Sequence, residues 1–277
     1  MLHDLRFALR QLLKARGFTI AAVTVLAFGI GANTAIFSLL DTMLFQSPAY
    51  ARSNEIVQVF SQDKKEPKTF RAFSYPTYVD IRDQNTVFSG VMAHNLAMVG
   101  VGEQGNTRRT FADIVTANYF SVLGVAPVQG RTFLPEEETP GKPVAVAIVS
   151  YGYWQKQGLN PTLLGSSLLI NGRPFTIVGI MPKGFSGTMQ VFGPELWVPL
   201  SDHDQVVNDF QTDHRTSLGD RAGTQLIVVA RLKSGVTAAA AEPALKTLAA
   251  NLEQAYPVEQ KNQTFMTAPL SRFSTST

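Results

Sequence analysis

A run of 24 residues, Gly17 to Leu40, contains no charged side chain, and no other feature constrains this sequence as strongly. At a rise of roughly 1.5 Å per residue, a helix of that length exceeds a hydrocarbon core of about 30 Å. Eleven of the residues are Val, Ile, Leu or Phe. On the insertion scale they favour the bilayer by about 3–7 kcal/mol before Asn33 and the hydroxyl side chains are deducted. The pattern predicts a transmembrane helix over 17–45. A cleaved signal peptide is one alternative, because Ala49-Tyr50-Ala51 is a small-x-small triplet, but the apolar stretch is longer than a signal core of about 7–15 residues and Asp41 interrupts the approach to the triplet. A buried core helix is the other.

Charge orients the span. The net charge is +3, and the first sixteen residues hold Arg6, Arg10, Lys14 and Arg16 against Asp4, so the rest of the chain is balanced. The excess is a local tag rather than a field suited to nucleic acid, and the positive-inside bias leaves the N-terminus in the cytoplasm and everything after about Phe45 outside. A single pass is expected, with the bulk of the chain outside the cytoplasm. Leu2, Leu5, Leu9, Leu12 and Leu13 follow helical periodicity while Arg6, Arg10 and Lys14 repeat every fourth residue. A cytoplasmic amphipathic helix over 1–16, with its cations on the anionic inner leaflet, is the reading; a frayed basic tail that only sets topology is the simpler one. Within the span Ala27, Gly31 and Ala35 also recur every fourth residue, which lets another helix approach closely, and Asn33 is costly to leave in lipid. Those four residues predict a membrane-helix packing face.

The remaining sequence, 46–277, reads as mixed α+β. Strand patterns cover Glu55–Phe60, Phe88–Val101 and Arg109–Thr116, the last two separated by a Gly-rich turn near Gly102–Gly105. A helix signal begins at Ser74-Tyr75-Pro76. From Asn118 to Leu200 the pieces are short and β-rich, with Asn171-Gly172 a hairpin turn signal between apolar runs. Gln225–Leu232 reads as a strand and Thr237–Tyr256 as a helix interrupted early by Pro243, after which Phe265–Leu270 closes a β-α-β unit. A β-rich insert over about 118–223 then lies between two α/β halves, about 52–117 and 224–277.

Several motifs, taken in order, resemble the MacB-like ABC transporter permeases, particularly orphan permeases with a periplasmic core domain. They are Gly29-Ile30-Gly31-Ala32-Asn33-Thr34-Ala35-Ile36-Phe37-Ser38, Tyr119-Phe120-Ser121-Val122-Leu123-Gly124-Val125, Gly130-Arg131-Thr132-Phe133 and Ser150 to Trp154. Asn171-Gly172-Arg173-Pro174 with Ile177-Val178-Gly179-Ile180-Met181-Pro182, Gly184-Phe185, and Glu195-Leu196-Trp197-Val198-Pro199-Leu200 follow. The resemblance implies one transmembrane helix, a periplasmic porter-like α/β domain with an inserted β-rich subdomain, and three further helices of an FtsX-like domain. This sequence stops at Thr277 without a second long apolar run, so it is expected to be a truncation, a split gene or a fragment. The resemblance further implies a separate cytoplasmic ABC ATPase that hydrolyses ATP, a second permease copy or paralogue, and relay of the movement across the membrane for efflux or substrate release. It carries no catalytic residue and no cofactor for this chain. A membrane-tethered binding or sensory module is the alternative.

The residues themselves offer little chemistry. No phosphate-cradling loop of the Gly-x-x-x-x-Gly-Lys-Ser/Thr type is present, and Gly184-Phe185-Ser186-Gly187 fails the nucleophile-elbow spacing because Thr188 replaces the second glycine. The absence of cysteine excludes disulfides and thiolate metal sites. Asp202, His203, Asp204, Asp209, Asp213, His214 and Asp220 fit no metal-ligand spacing and read as a solvated loop, while the run Glu136 to Glu138 after Phe133-Leu134-Pro135 reads as a helix N-terminus or a wet loop. Trp154 and Trp197 read as core packing.

Overall fold

The computed structural model describes residues 10, 14–45, 50, 52–102, 107–189, 193–207 and 217–270. Most of the expected amphipathic helix over 1–16, the turn at 103–106, and Asp209, Asp213 and His214 lie outside the described residues. The chain divides into two units, Met1–Ser47 and Pro48–Thr277.

The first unit is one helix, α1 (Arg16–Phe45). No side chain between Arg16 and Ser38 is buried, and apolar groups such as Phe18, Val25 and Phe28 are more than 70% exposed. A soluble core helix would hide such a surface, so an apolar helix without cover fits a membrane anchor.

The second unit is a sheet-rich mixed α/β domain. In chain order its elements are β1 (Ile56–Asp63), β2 (Phe70–Arg71), α2 (Tyr75–Gln84), β3 (Phe88–Val101), β4 (Arg108–Val115), α3 (Tyr119–Leu123), β5 (Gln129–Gly130), β6 (Val146–Val149) and α4 (Tyr151–Lys156), then β7 (Ser167–Ile170), β8 (Arg173–Ile180), β9 (Leu196–Pro199), α5 (His203–Val206), β10 (Ile227–Leu232), α6 (Ala238–Ala255) and β11 (Gln263–Pro269). The strands run β11-β1-β10-β3-β4-β9-β6-β8-β5 across one sheet. β10 pairs antiparallel with both β1 and β3, and β1 pairs antiparallel with β11. Hence β1-α2-β3 and β10-α6-β11 are two split β-α-β units that interleave, each receiving a strand of the other between its own pair.

Period-two alternation decides which side chain meets which layer. Val57 and Val59 of β1 join Tyr78 and Ile81 of α2 and Leu245, Leu248 and Leu252 of α6 in one core. Ile56, Met92, Val115 and Val229 point to the opposite face, where Tyr119 and Phe120 of α3 and Trp197 cover them. Complete burial of each such large side chain contributes about 1.5–3 kcal/mol. Helix starts follow the sequence: Ser74 Oγ accepts from the Thr77 amide at 3.3 Å and Thr237 Oγ1 from the Ala240 amide at 3.2 Å. The interruption expected at Pro243 does not occur. α6 runs through it, because a proline in the second turn removes one hydrogen bond while the leucine face stays packed on the sheet. Asn171 (φ 50°) and Gly172 (φ 77°) form the expected tight turn between β7 and β8.

Candidate functional site at the base of the sheet domain

Tyr50, where the sheet domain begins, is buried in the α3-side core, and Leu270, just after β11, packs against the same cluster. Entry and exit of the chain are therefore at one end of the sheet, where Val57 pairs with Pro269. A cavity of about 700 Å³ opens there, lined among others by Tyr50, Ile56, Thr188, Val236 and Leu270.

Arg231, on β10 and 9% exposed, fastens this end. Its Nη1 donates to Glu55 Oε2 at 3.0 Å and to the Arg52 carbonyl at 3.4 Å, while Nε donates to the Val122 carbonyl at 2.8 Å. One guanidinium thus joins the entry turn, a central strand and the last turn of α3. A planar fork of donors suits such a three-way junction, which a lysine could not fill.

Behind the cavity wall lies a buried polar series. His94 Nδ1 is 2.9 Å from Asp113 Oδ1, His94 Nε2 is 3.3 Å from Thr188 Oγ1, and the Thr188 amide donates to the Tyr119 hydroxyl at 3.0 Å. Burial, then the Asp113 charge, pushes the Tyr119 phenol well above its usual range, so it stays protonated. Carboxylate, imidazole and hydroxyl stand in the sequence of an acyl-transfer triad. However, Thr188 is 1% exposed and its amide is already committed to Tyr119, so its hydroxyl is closed to a substrate. The series fixes the Gly187–Thr188 loop on the sheet. Gly187 has φ +70°, and a Cβ there would lie 2.6 Å from the Tyr119 hydroxyl, which is why the position takes glycine.

A second junction uses the acidic run. Glu138 is buried, accepts from the Ala117 amide at 3.0 Å and the Tyr75 hydroxyl at 3.3 Å, and lies 3.6 Å from Arg82. Burial raises its pKa, and burial followed by the Glu138 charge pushes Tyr75 up to about 12. Burial, the largest single influence, acts on Glu137 in the same direction, but two bonds from Arg131 at 2.7 and 2.9 Å, a bond from the Leu134 amide at 2.8 Å and the Arg131 charge together outweigh it and leave that carboxyl below its usual value.

The sequence pattern of the MacB-like periplasmic core domain matches residues 19–248. The chain belongs to this family. Among curated proteins no sequence matches. The fold is similar to a domain of a Porphyromonas gingivalis protein described as a permease (15% identity, 82% of this chain and 95% of that one, TM-score 0.58). It is also similar to the periplasmic region of MacB from Actinobacillus actinomycetemcomitans (14%, 78% and 89%, TM-score 0.55) and to the extracellular domain of the noncanonic ABC-type transporter YknZ from Gram-positive bacteria (15%, 77% and 99%, TM-score 0.52). The sheet domain is thus a MacB-like periplasmic domain of the kind found in ABC-type permeases, a transporter component rather than a typical enzyme.

In this MacB-like domain two expectations are corrected. Asp204 and Asp220 are exposed as the solvated reading expects, but the patch is anchored in the core at two positions: Asp202 is fully buried and accepts from the Val144 and Ala145 amides at 3.3 and 3.2 Å, and His203 is 3% exposed, with Nε2 3.4 Å from Asn95 Nδ2. The Glu136–Glu138 run stands in a short 3-10 helix, Pro135–Glu138, as the helix-start reading has it, but it is not wet throughout, since Glu137 and Glu138 are buried. Trp197 is fully buried, and Trp154 is partly buried with Nε1 donating to the Asn160 carbonyl at 2.8 Å. Ala27, Gly31, Asn33 and Ala35 are exposed on α1, as are Arg10, Lys14 and Arg16 near its start, while Arg6 lies outside the described residues. Arg231 and the His94–Asp113 pair were invisible as site residues in the sequence, because their partners stand 19 to 179 residues away.

Proposed function

We propose that this chain is the membrane-anchored periplasmic part of an ABC transporter permease, which receives ATP-driven movement through α1 and passes it to the sheet domain for efflux or substrate release. The family match carries the reading, because it runs from within the apolar helix into α6 and so treats anchor and sheet domain as one unit. The N-terminus is cytoplasmic, with Arg6, Arg10, Lys14 and Arg16 on the inner leaflet, and the bulk is outside. ATP is hydrolysed by a separate ABC ATPase, and Ala27, Gly31, Asn33 and Ala35 receive a helix of a second permease copy or paralogue. Within the 46–277 region, a β-rich insert over about 118–223 lies between porter-like halves. The Arg231 junction is where movement of the entry turn reaches β10 and α3 together.

Two measurements test this. A reporter active only outside the cytoplasm, fused after Ser61, is expected to be active; a silent fusion overturns the orientation. In native membranes, a single cysteine at Lys233→Cys, beside the base cavity, is expected to change its labelling rate when ATP and vanadate trap the ATPase. An unchanged rate favours a membrane-tethered binding or sensory module without transport.

A further inference from the structure

The sheet ends on β11, whose inner edge pairs with β1 along all seven residues, Gln263 to Pro269. Among the described residues no strand pairs with its outer edge, and the strand at the other end of the order, β5, has only two residues. Exposed edges are normally protected by charge, an interior proline, a bulge or shortness. β11, with sequence Gln-Thr-Phe-Met-Thr-Ala-Pro, has none of these: it carries no formal charge, its register with β1 is unbroken and its proline is the final residue.

One face of the strand is occupied. Phe265 is fully buried, and the Thr267 hydroxyl donates to the Ala238 carbonyl of α6 at 3.5 Å. The other face shows Thr264, Met266 and Ala268, all half-buried, with Met266 opposite Phe60, whose ring meets Phe70 edge-on at 5.5 Å between centroids. A half-buried, uncharged row centred on Met266 therefore lies along the free edge.

We propose that this edge pairs antiparallel with β11 of a second copy of the chain about a two-fold axis, so that two sheets become one. Isologous pairing sets each residue opposite a residue of the identical strand. A charge at or near the axis would be held close to its own copy, and like charges facing each other weaken a ladder. Seven uncharged residues meet that condition, whereas a strand suited to a charged partner would carry charge itself. With the axis near Met266, Thr264 faces the partner subunit's Ala268, and the uncharged row continues across the junction. Pairing of this kind is independent of any coupling to an ATPase.

The chain has no cysteine, which makes disulfide trapping clean. Thr264→Cys, Met266→Cys and Ala268→Cys variants of the full chain, in nanodiscs, are oxidised with copper phenanthroline, with Lys246→Cys on the exposed side of α6 as control. A covalent dimer is expected at β11, fastest at the position nearest the axis and slow at the control. Adding Met266→Lys to a Thr264→Cys/Ala268→Cys double variant, in which the cysteine at 264 faces the one at 268 of the partner subunit, sets two like charges across the axis, and crosslinking should slow about fivefold while circular dichroism stays unchanged. Equal rates at β11 and control positions, indifference of a folded chain to Met266→Lys, or crosslinking of the β11 cysteines to a different protein in native membranes each overturns the proposal.

Discussion

Replacing Arg231 with alanine tests the junction at the base most sharply. The substitution removes a charge-assisted bond to Glu55 at 3.0 Å and a bond to the Val122 carbonyl at 2.8 Å, and leaves the Glu55 side chain, 18% exposed, without that partner. Removing one member of a fully buried pair costs about 3–5 kcal/mol. Partial access of water to Glu55 lowers this, and the lost carbonyl bond adds about 1 kcal/mol, giving a net destabilisation of about 2–4 kcal/mol. For a domain of this size the melting temperature should fall by about 5–15 °C. Tryptophan fluorescence of the detergent-solubilised full chain isolates the right unit, since Trp154 and Trp197 are the only two tryptophans and both lie in the sheet domain. Glu55→Gln completes a double-mutant cycle, with an expected coupling of about 1.5–3 kcal/mol for a bond to a charged group. A melting shift below about 2 °C, or coupling below about 0.3 kcal/mol, would refute the assignment of Arg231 as the fastener.

Glu138 has a folded pKa above the usual 4.5, so the stability it contributes is complete below that value and is lost as pH rises through the folded pKa. Glu138→Gln removes this loss, and its melting temperature relative to the unmodified chain should climb from pH 4.5 upward; a flat or falling difference contradicts the assignment. Gly187→Ala meets both a positive φ and the Tyr119 hydroxyl at 2.6 Å, and thermal melts should show a cost of about 1–3 kcal/mol. Gly31→Leu should leave insertion intact, as judged by carbonate extraction, yet reduce crosslinking to a partner permease helix. Unchanged crosslinking would remove Ala27, Gly31 and Ala35 from any packing face.

Local signals were legible wherever a short stretch decides its own structure. The apolar run of α1, the Ser74 and Thr237 caps, the Asn171-Gly172 turn and the alternation of β1 all depend on neighbours a few residues apart. Pro243 misled because propensity counts the lost hydrogen bond and ignores the packed leucine face that outweighs it. Asp202 and His203 misled for the opposite reason: polar letters suggest water, but Asp202 finds the amides of Val144 and Ala145 across the fold and His203 finds Asn95. The base junction belongs to the same class, since nothing near Arg231 in the sequence announces Glu55 or Val122. Long-range pairing is set by topology, and an interleaved order such as β11-β1-β10-β3 cannot be read from the order of the elements along the chain.

That pairing has a mechanical corollary at Val57 and Pro269, the first rung of the ladder between the entering and departing strands. If both connections are drawn the same way, the two strands travel together and every rung is spared. If they are drawn apart sideways, the load falls on that terminal rung alone, and the ladder opens like a zip, one pair of hydrogen bonds at a time. The ladder is therefore stiff to a common pull on its two adjacent ends and compliant to a pull that separates them.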